Sequence, residues 1–381
     1  MIFNPAIWRG FVRPRGSGIL PLMKKAAILG IVFGLIICVL AGAGTIWWQS
    51  SKHVSLSELV RPTPKPLPLL KYTIPNLRKY NFQTSQITIE KKIKEFPKYT
   101  SYVFSFQTLG KQMTGQINIP KTGVNAANTN RTPTNNLGST TSSWPVIILV
   151  RGYVPPENYQ TGIGTRPAAE VFAEHGYVTL APDFFGYGNS DAESTDSWEA
   201  RFQKPISVVE LIKSITANPK IEVDQNNQIQ VDPQKMGMWA HSNGGQIALT
   251  TLEIMDQPIP ATLWAPVTAP FPYSILYFSD EEADEGKATR AYIAEFEKDY
   301  DVTQFSLTDY LTLLHSPIQI QQGTADEAIH YVWSQEFVDK IKKENADYPV
   351  VLFTYPGTNH NMQPAWNAAV QKDLDFFQKN L

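Results

Sequence analysis

Residues 238–249 read MWAHSNGGQIAL, an apolar strand that becomes a helix with Ser242 at the junction. Ala240 stands two residues before the serine and Gly244 two after, a relaxed form of G-x-S-x-G. A strand-to-helix turn this tight leaves no room for a side chain at either flank, so small residues are needed there. The turn lifts the hydroxyl above the carboxyl ends of the strands, where open α/β sheets place their ligands. A helix N-cap would account for a serine, but not for small residues on both sides of it. A hydroxyl is a weak nucleophile at its free pKa, so a nucleophilic Ser242 requires a base from elsewhere in the chain.

Working outward, short apolar runs at 145–150, 177–182, 235–240, 261–266, 317–322 and 350–355 read as strands. Between them lie helical patterns near 167–175, 205–217, 244–256, 332–344 and 365–379. Continuous hydrophobic strands separated by amphipathic helices predict an α/β fold, a mostly parallel doubly wound sheet with helices on both faces. SQITIEKKI and YTSYVFSFQTLGKQMTGQINIP, ahead of these, alternate in the manner of antiparallel strands. Residues 121–143 are polar and read as a loop. The interval 267–316 is too long for one crossover, and its acidic helical stretch is expected to form a cap over the end of the sheet.

The base and its acid are expected after the last two strands. PIQIQQGTADEAIH runs from a strand into a loop carrying Asp326, and VVLFTYPGTNHNM does the same for His360. Both therefore leave the sheet at the end where Ser242 sits, in the chain order Ser, Asp, His. His360 is placed to accept the serine proton, and Asp326 to fix its tautomer. Glu327 competes for the acid position, but Asp326 is nearer the strand end and is preferred. Acyl transfer also needs donors for an oxyanion. The N–H of Asn243, at the start of the elbow helix, and that of Tyr153, in the loop RGYVPPENY after the first parallel strand, are the candidates. His241 neighbours the serine but points to the opposite face of its strand, so it is expected to pack or hydrogen-bond beside the site. Asp183, in DFFGYGNSD, is expected to tie down its own loop.

Composition narrows the alternatives. The 381 residues carry a formal net charge of -2, which supplies no concentrated positive field for nucleic acid. One cysteine, Cys38, and six scattered histidines give no metal-ligand spacing and no disulfide, so neither cofactor nor metal is expected.

Residues 26–48 contain no charge and are long enough to span a bilayer of about 30 Å as a helix. Lys24, Lys25, Arg9, Arg13 and Arg15 precede this run, and Trp47 and Trp48 close it. The expected organisation is a cytoplasmic segment 1–25, a transmembrane signal anchor 26–48, a proline-rich linker 49–84 and a catalytic domain 85–381 outside the cytoplasm. A secretory signal starting at Met23 is the alternative.

Taken together, YTSYVFSFQTLGKQMTGQINIPK, WPVIILVRGY, HGYVTLAPDFFGYGNSD, MGMWAHSNGGQIAL, PIQIQQGTADEAI and FTYPGTNHNM resemble the α/β-hydrolase superfamily, most closely the catalytic domain of the prolyl oligopeptidase family (acylaminoacyl-peptidase-like members). The resemblance implies a serine-type peptidase or esterase, with Ser242, Asp326 and His360 at the triad positions and Tyr153 and Asn243 around the oxyanion. It also implies a peptide or ester substrate. Three positions depart from the family pattern: Arg151 where histidine is usual, Phe185 where the D-x-R-G-x-G-x-S loop has arginine, and Ala240 for the elbow glycine. A carboxylesterase is the alternative activity, and a catalytically silent binding protein the alternative class. The oligomeric state is not legible.

Overall fold

The computed structural model describes residues 65–121, 143–280 and 282–381, of which Leu67–Leu381 form one unit. The segments 1–25 and 26–48, and nearly all of the 121–143 loop, lie outside the described residues. Among the described residues no helix is long and apolar enough to cross a membrane.

The sheet runs in the order β1-β2-β3-β5-β4-β7-β8-β9-β10. Strands β1 (Thr88–Glu95), β2 (Tyr99–Thr108) and β3 (Lys111–Pro120) form the antiparallel lead-in. From β5 (Val178–Pro182) through β4 (Trp144–Val150), β7 (Asn227–His241), β8 (Ala261–Trp264), β9 (Ile318–Gly323) and β10 (Val350–Tyr355) all neighbours are parallel. The chain leaves β4 toward β5, then crosses back to β7 on β4's other side. That reversal puts the ligand crevice of an open α/β sheet at the carboxyl ends of β4 and β7.

Both faces of the sheet are covered. Val146, Ile148 and Val150 of β4 face one core and Ile147 and Leu149 the other, all fully buried. The first core is closed by α3 (Ser197–Ala217), α4 (Asn243–Ile254) and α6 (Tyr331–Glu344), the second by α2 (Arg166–Glu174) and α7 (Trp366–Asn380). Each such aliphatic or aromatic side chain contributes about 1.5–3 kcal/mol by leaving water.

Two expectations are corrected. The linker does not extend to residue 84: Pro68–Tyr72 makes a 3-10 turn and α1 (Ile74–Leu77) follows, burying Leu69, Tyr72, Ile74 and Leu77 in the core. Pro68 opens the turn, where a missing N–H costs nothing. The central strand also begins earlier than residue 235. β6 (Lys220–Asp224) pairs antiparallel with the first part of a 15-residue β7, a hairpin whose alternating Ile221, Val223, Ile229 and Val231 are diluted by polar neighbours.

The 267–316 interval contains a 3-10 turn at Tyr273–Phe278, α5 (Lys287–Asp299) and short 3-10 turns up to Leu313. Phe271 and Phe305 pack on Trp198 and Phe202, at the start of α3, with ring centroids 5.4 and 4.9 Å apart for Trp198–Phe271 and Phe202–Phe305. Tyr277 packs on Trp333, at the start of α6, at 4.8 Å. The helix starts it bridges lie at the carboxyl edge of the sheet. Within the acidic run, Asp284 caps the amides of Gly286 and Ala288.

One polar knot fastens α7 beneath that edge. Asp373 is fully buried and accepts N–H donors from Trp264 of β8 at 2.7 Å, Gln319 of β9 at 3.0 Å, and Gln321. Burial pushes its carboxyl up to about 7, against the pull of those donors. A carboxyl whose folded pKa is raised contributes stability that is full below its unfolded value, about 3.9, and lost as the pH rises through about 7. The unaltered protein is therefore expected to show an earlier urea-unfolding midpoint at about pH 8 than at about pH 5, and Asp373→Asn, which cannot ionise, a smaller difference. A difference of the same size in both proteins would mean that this carboxyl does not titrate there.

Candidate active site

Ser242 occupies the junction of β7 and α4 with φ 58° and ψ −126°, a backbone conformation that non-glycine residues adopt only at a cost of about 1–3 kcal/mol. The turn is held from both sides: the Ser242 N–H donates to the Trp264 carbonyl, and its own carbonyl accepts from Gly245 and Val267. The small flanking residues have a direct cause. A Cβ on Gly244 would lie 2.1 Å from the Val150 carbonyl oxygen, and one on Gly152 would lie 2.9 Å from the Ser242 Cβ. The elbow and the loop after β4 are thus pressed together, with Gly152 against the serine.

Asp326 and His360 meet across the loops after β9 and β10. His360 Nδ1 lies 3.0 Å from both Asp326 carboxylate oxygens. The carboxylate also accepts the Ala328 and Ile329 amides at 2.9 and 2.8 Å and the Gln322 side-chain amide at 3.0 Å. Burial alone would raise its pKa; the hydrogen bonds from His360 and those amides outweigh it and leave the pKa below the ordinary value. Glu327 instead accepts the backbone N–H of His360 at 3.2 Å. Among the described residues Ser242 Oγ has no hydrogen-bond partner, so the link from hydroxyl to imidazole is unformed in this state. Neither the Asn243 nor the Tyr153 N–H is engaged by a hydrogen bond among the described residues. The Tyr153 side chain is 72% exposed.

Two neighbours matter more than the sequence suggested. His241 lies against His360 with the rings tilted and their centroids 4.6 Å apart, its centroid is 6.3 Å from that of Trp239, and its Nε2 is 3.0 Å from the His360 carbonyl oxygen. Burial, then the neighbouring His360, pulls its pKa down to about 4, so it is a neutral donor at pH 7. Strand parity points it away from the serine side, yet that direction is where His360 arrives. Arg151 is buried, with its guanidinium 4.0 Å over the Tyr187 ring and 4.6 Å over Tyr159. It donates to the Gly152 carbonyl at 3.0 Å and the Asp183 carbonyl at 2.8 Å. The DFFGYGNSD loop, which has Phe185 in place of an arginine, thus receives one from the strand next door. Asp183 holds that loop as expected, accepting Tyr159, Thr114 and Thr161 hydroxyls at 2.6, 2.6 and 3.0 Å. Among the described residues no group of side chains could hold a metal ion.

A sequence profile of the prolyl oligopeptidase family matches residues 165–381. No curated protein sequence matches the chain. Among solved structures, acetyl xylan esterase 1 of Thermoanaerobacterium sp. JW/SL YS485 is similar with a TM-score of 0.55 at 14% identity, over 82% of this chain and 95% of that one. The acetyl xylan esterase of Paenibacillus sp. R4 gives 0.56 at 15%, over 86% and 99%. A puromycin-hydrolyzing peptidase of Mycobacterium tuberculosis gives 0.50 at 14%, over 78% of this chain and 39% of that one. At such identities the likeness concerns the fold, the α/β-hydrolase fold.

Proposed function

The chain belongs to the prolyl oligopeptidase family and is a serine hydrolase, and from that premise we propose that it is a serine-type peptidase working through Ser242, His360 and Asp326. The observation that carries this reading is the Asp326–His360 pair held at the same sheet edge as Ser242, whose backbone is strained and whose hydroxyl has no hydrogen-bond partner among the described residues. Ser242 Oγ attacks the carbonyl carbon of the substrate while His360 Nε2 takes its proton, once the two come within about 2.6–3.2 Å. The oxyanion is received by the N–H of Asn243 and that of Tyr153, with Arg151 fixing the loop that presents the second. Collapse expels the amine, which leaves with the proton from the imidazolium; water then repeats the sequence on the acyl-enzyme.

A carboxylesterase is the second reading, supported by the two acetyl xylan esterases whose folds this chain matches almost end to end. The same three residues would cleave either bond; an amide additionally demands protonation of a poor leaving group. A panel of p-nitrophenyl acyl esters beside aminoacyl-p-nitroanilides separates the two. Anilide turnover is the expected result, and ester turnover without anilide cleavage would replace the peptidase reading. A silent binding protein would turn over neither, and would not be labelled by a fluorophosphonate.

A further inference from the structure

A narrow cleft, about 490 Å³ with its open mouth included, runs along the face of α4 that begins at Asn243. Gln246, one turn beyond Ser242, lines it, as do Phe202, Phe271 and Phe305. Into this aromatic-walled space α3 sends two cations, Arg201 and Lys204, three residues apart and so on one face of the helix.

Neither makes an ion pair among the described residues. Arg201 donates to the Gln246 side-chain oxygen at 2.6 Å and lies 5.7 Å over the Phe271 ring, which leaves most of its five N–H donors to offer. Lys204 has no hydrogen bond among the described residues. Of the acids in the same stretch, Glu199 accepts Tyr72 and Ser194 and pairs with Lys71, and Glu193, which is exposed and shares a separate hollow with Lys204, attracts that ammonium without forming an ion pair among the described residues. Burial, with Arg201 adding its repulsion, pulls the Lys204 ammonium down to about 8. Enclosed charges are ordinarily paired, and two like ones side by side in an apolar cleft want an anion between them.

We propose that this cleft is a substrate subsite for a carboxylate on a short apolar chain, with Arg201 and Lys204 as the residues that bind it. The chain packs between the aromatic rings, the carboxylate takes the guanidinium and ammonium donors, and the reactive carbonyl reaches back toward Ser242. This rests on the hydrolase reading of Ser242 and adds the class of substrate. Two sources share the chemistry: the side chain of an acidic peptide residue, and the free acid of a dicarboxylate half-ester.

Matched substrates tell them apart: glutamyl against glutaminyl p-nitroanilide, and the p-nitrophenyl half-ester of glutarate against p-nitrophenyl pentanoate. For at least one pair the charged member is expected to have the higher kcat/KM, by about tenfold or more. Arg201→Met with Lys204→Met brings that ratio to about one, whereas Arg201→Lys and Lys204→Arg, which keep both charges, preserve most of it. Circular dichroism and a thermal midpoint show whether each variant is folded. Ratios near one for both pairs in the unaltered protein, or a preference that survives in the folded double methionine variant, would overturn the proposal. If no substrate is turned over, the reading of Ser242 fails, and glutarate titrated calorimetrically into the full Ser242→Ala chain decides the cleft alone. Saturable binding lost in the double methionine background supports the site, and no binding overturns it.

Discussion

Ser242→Ala is expected to lower kcat for any accepted substrate by about 10⁵- to 10⁶-fold and to abolish covalent labelling by a fluorophosphonate. The remaining rate belongs to substrate positioning and the oxyanion donors, which the substitution leaves in place. The fold should be indifferent, because alanine at φ 58° bears much the same backbone penalty as serine does. Ser242→Gly sharpens the test. Glycine relieves a strain of about 1–3 kcal/mol and loses about 0.4–1 kcal/mol to the entropy of its unfolded chain. The glycine protein should therefore be as inactive as the alanine one, yet about 1 kcal/mol more stable than the unaltered protein. That pairing of lost activity with gained stability marks a residue kept in a poor conformation for its chemistry. An alanine variant with more than a hundredth of the original kcat would remove Ser242 from the mechanism.

The parts that were legible in the sequence were those with a local cause. Strand β4 reads as a run of Val and Ile because both of its faces are buried, and the small residues around Ser242 follow from the nearness of the Val150 carbonyl. Asp326 and His360 follow consecutive strands, so their meeting needed only parallel order. What escaped was set by partners distant in the chain. Nothing near Arg151 announces that Tyr159 and Tyr187 will enclose it, and nothing in Pro68–Leu77 announces that α4 lies ready to receive Ile74 and Leu77. Arg201 and Lys204 look like ordinary solvated helix residues until the 267–316 interval folds Phe271 and Phe305 beside them. Their pairing is a tertiary fact, which no spacing rule along α3 could supply.

Asp326→Asn is expected to cost about 10⁴ in kcat while leaving the fold largely intact. The carboxylate is an acceptor facing only donors: His360 Nδ1, the Ala328 and Ile329 amides, and the Gln322 amide. An asparagine can keep its oxygen on the two backbone amides, but its NH2 then faces Gln322 and the imidazole. The imidazole responds by presenting a bare Nδ1 as acceptor, which puts its proton on Nε2 and aims a donor at a hydroxyl that needs a base. Stability gives an independent check with a fixed sign. A carboxyl whose folded pKa is depressed contributes stability that is present above its unfolded value, about 3.9, and lost as the pH falls through the lower folded value. The stability gap between the unaltered protein and Asp326→Asn should therefore be full at pH 6 and close toward pH 2. Glu327→Gln is the control: Glu327 accepts a hydrogen bond from the His360 main chain, at 3.2 Å, and its loss should cost less than tenfold. If Asp326→Asn keeps a tenth of the activity and Glu327→Gln does not, the acid has been assigned to the wrong one of two adjacent residues.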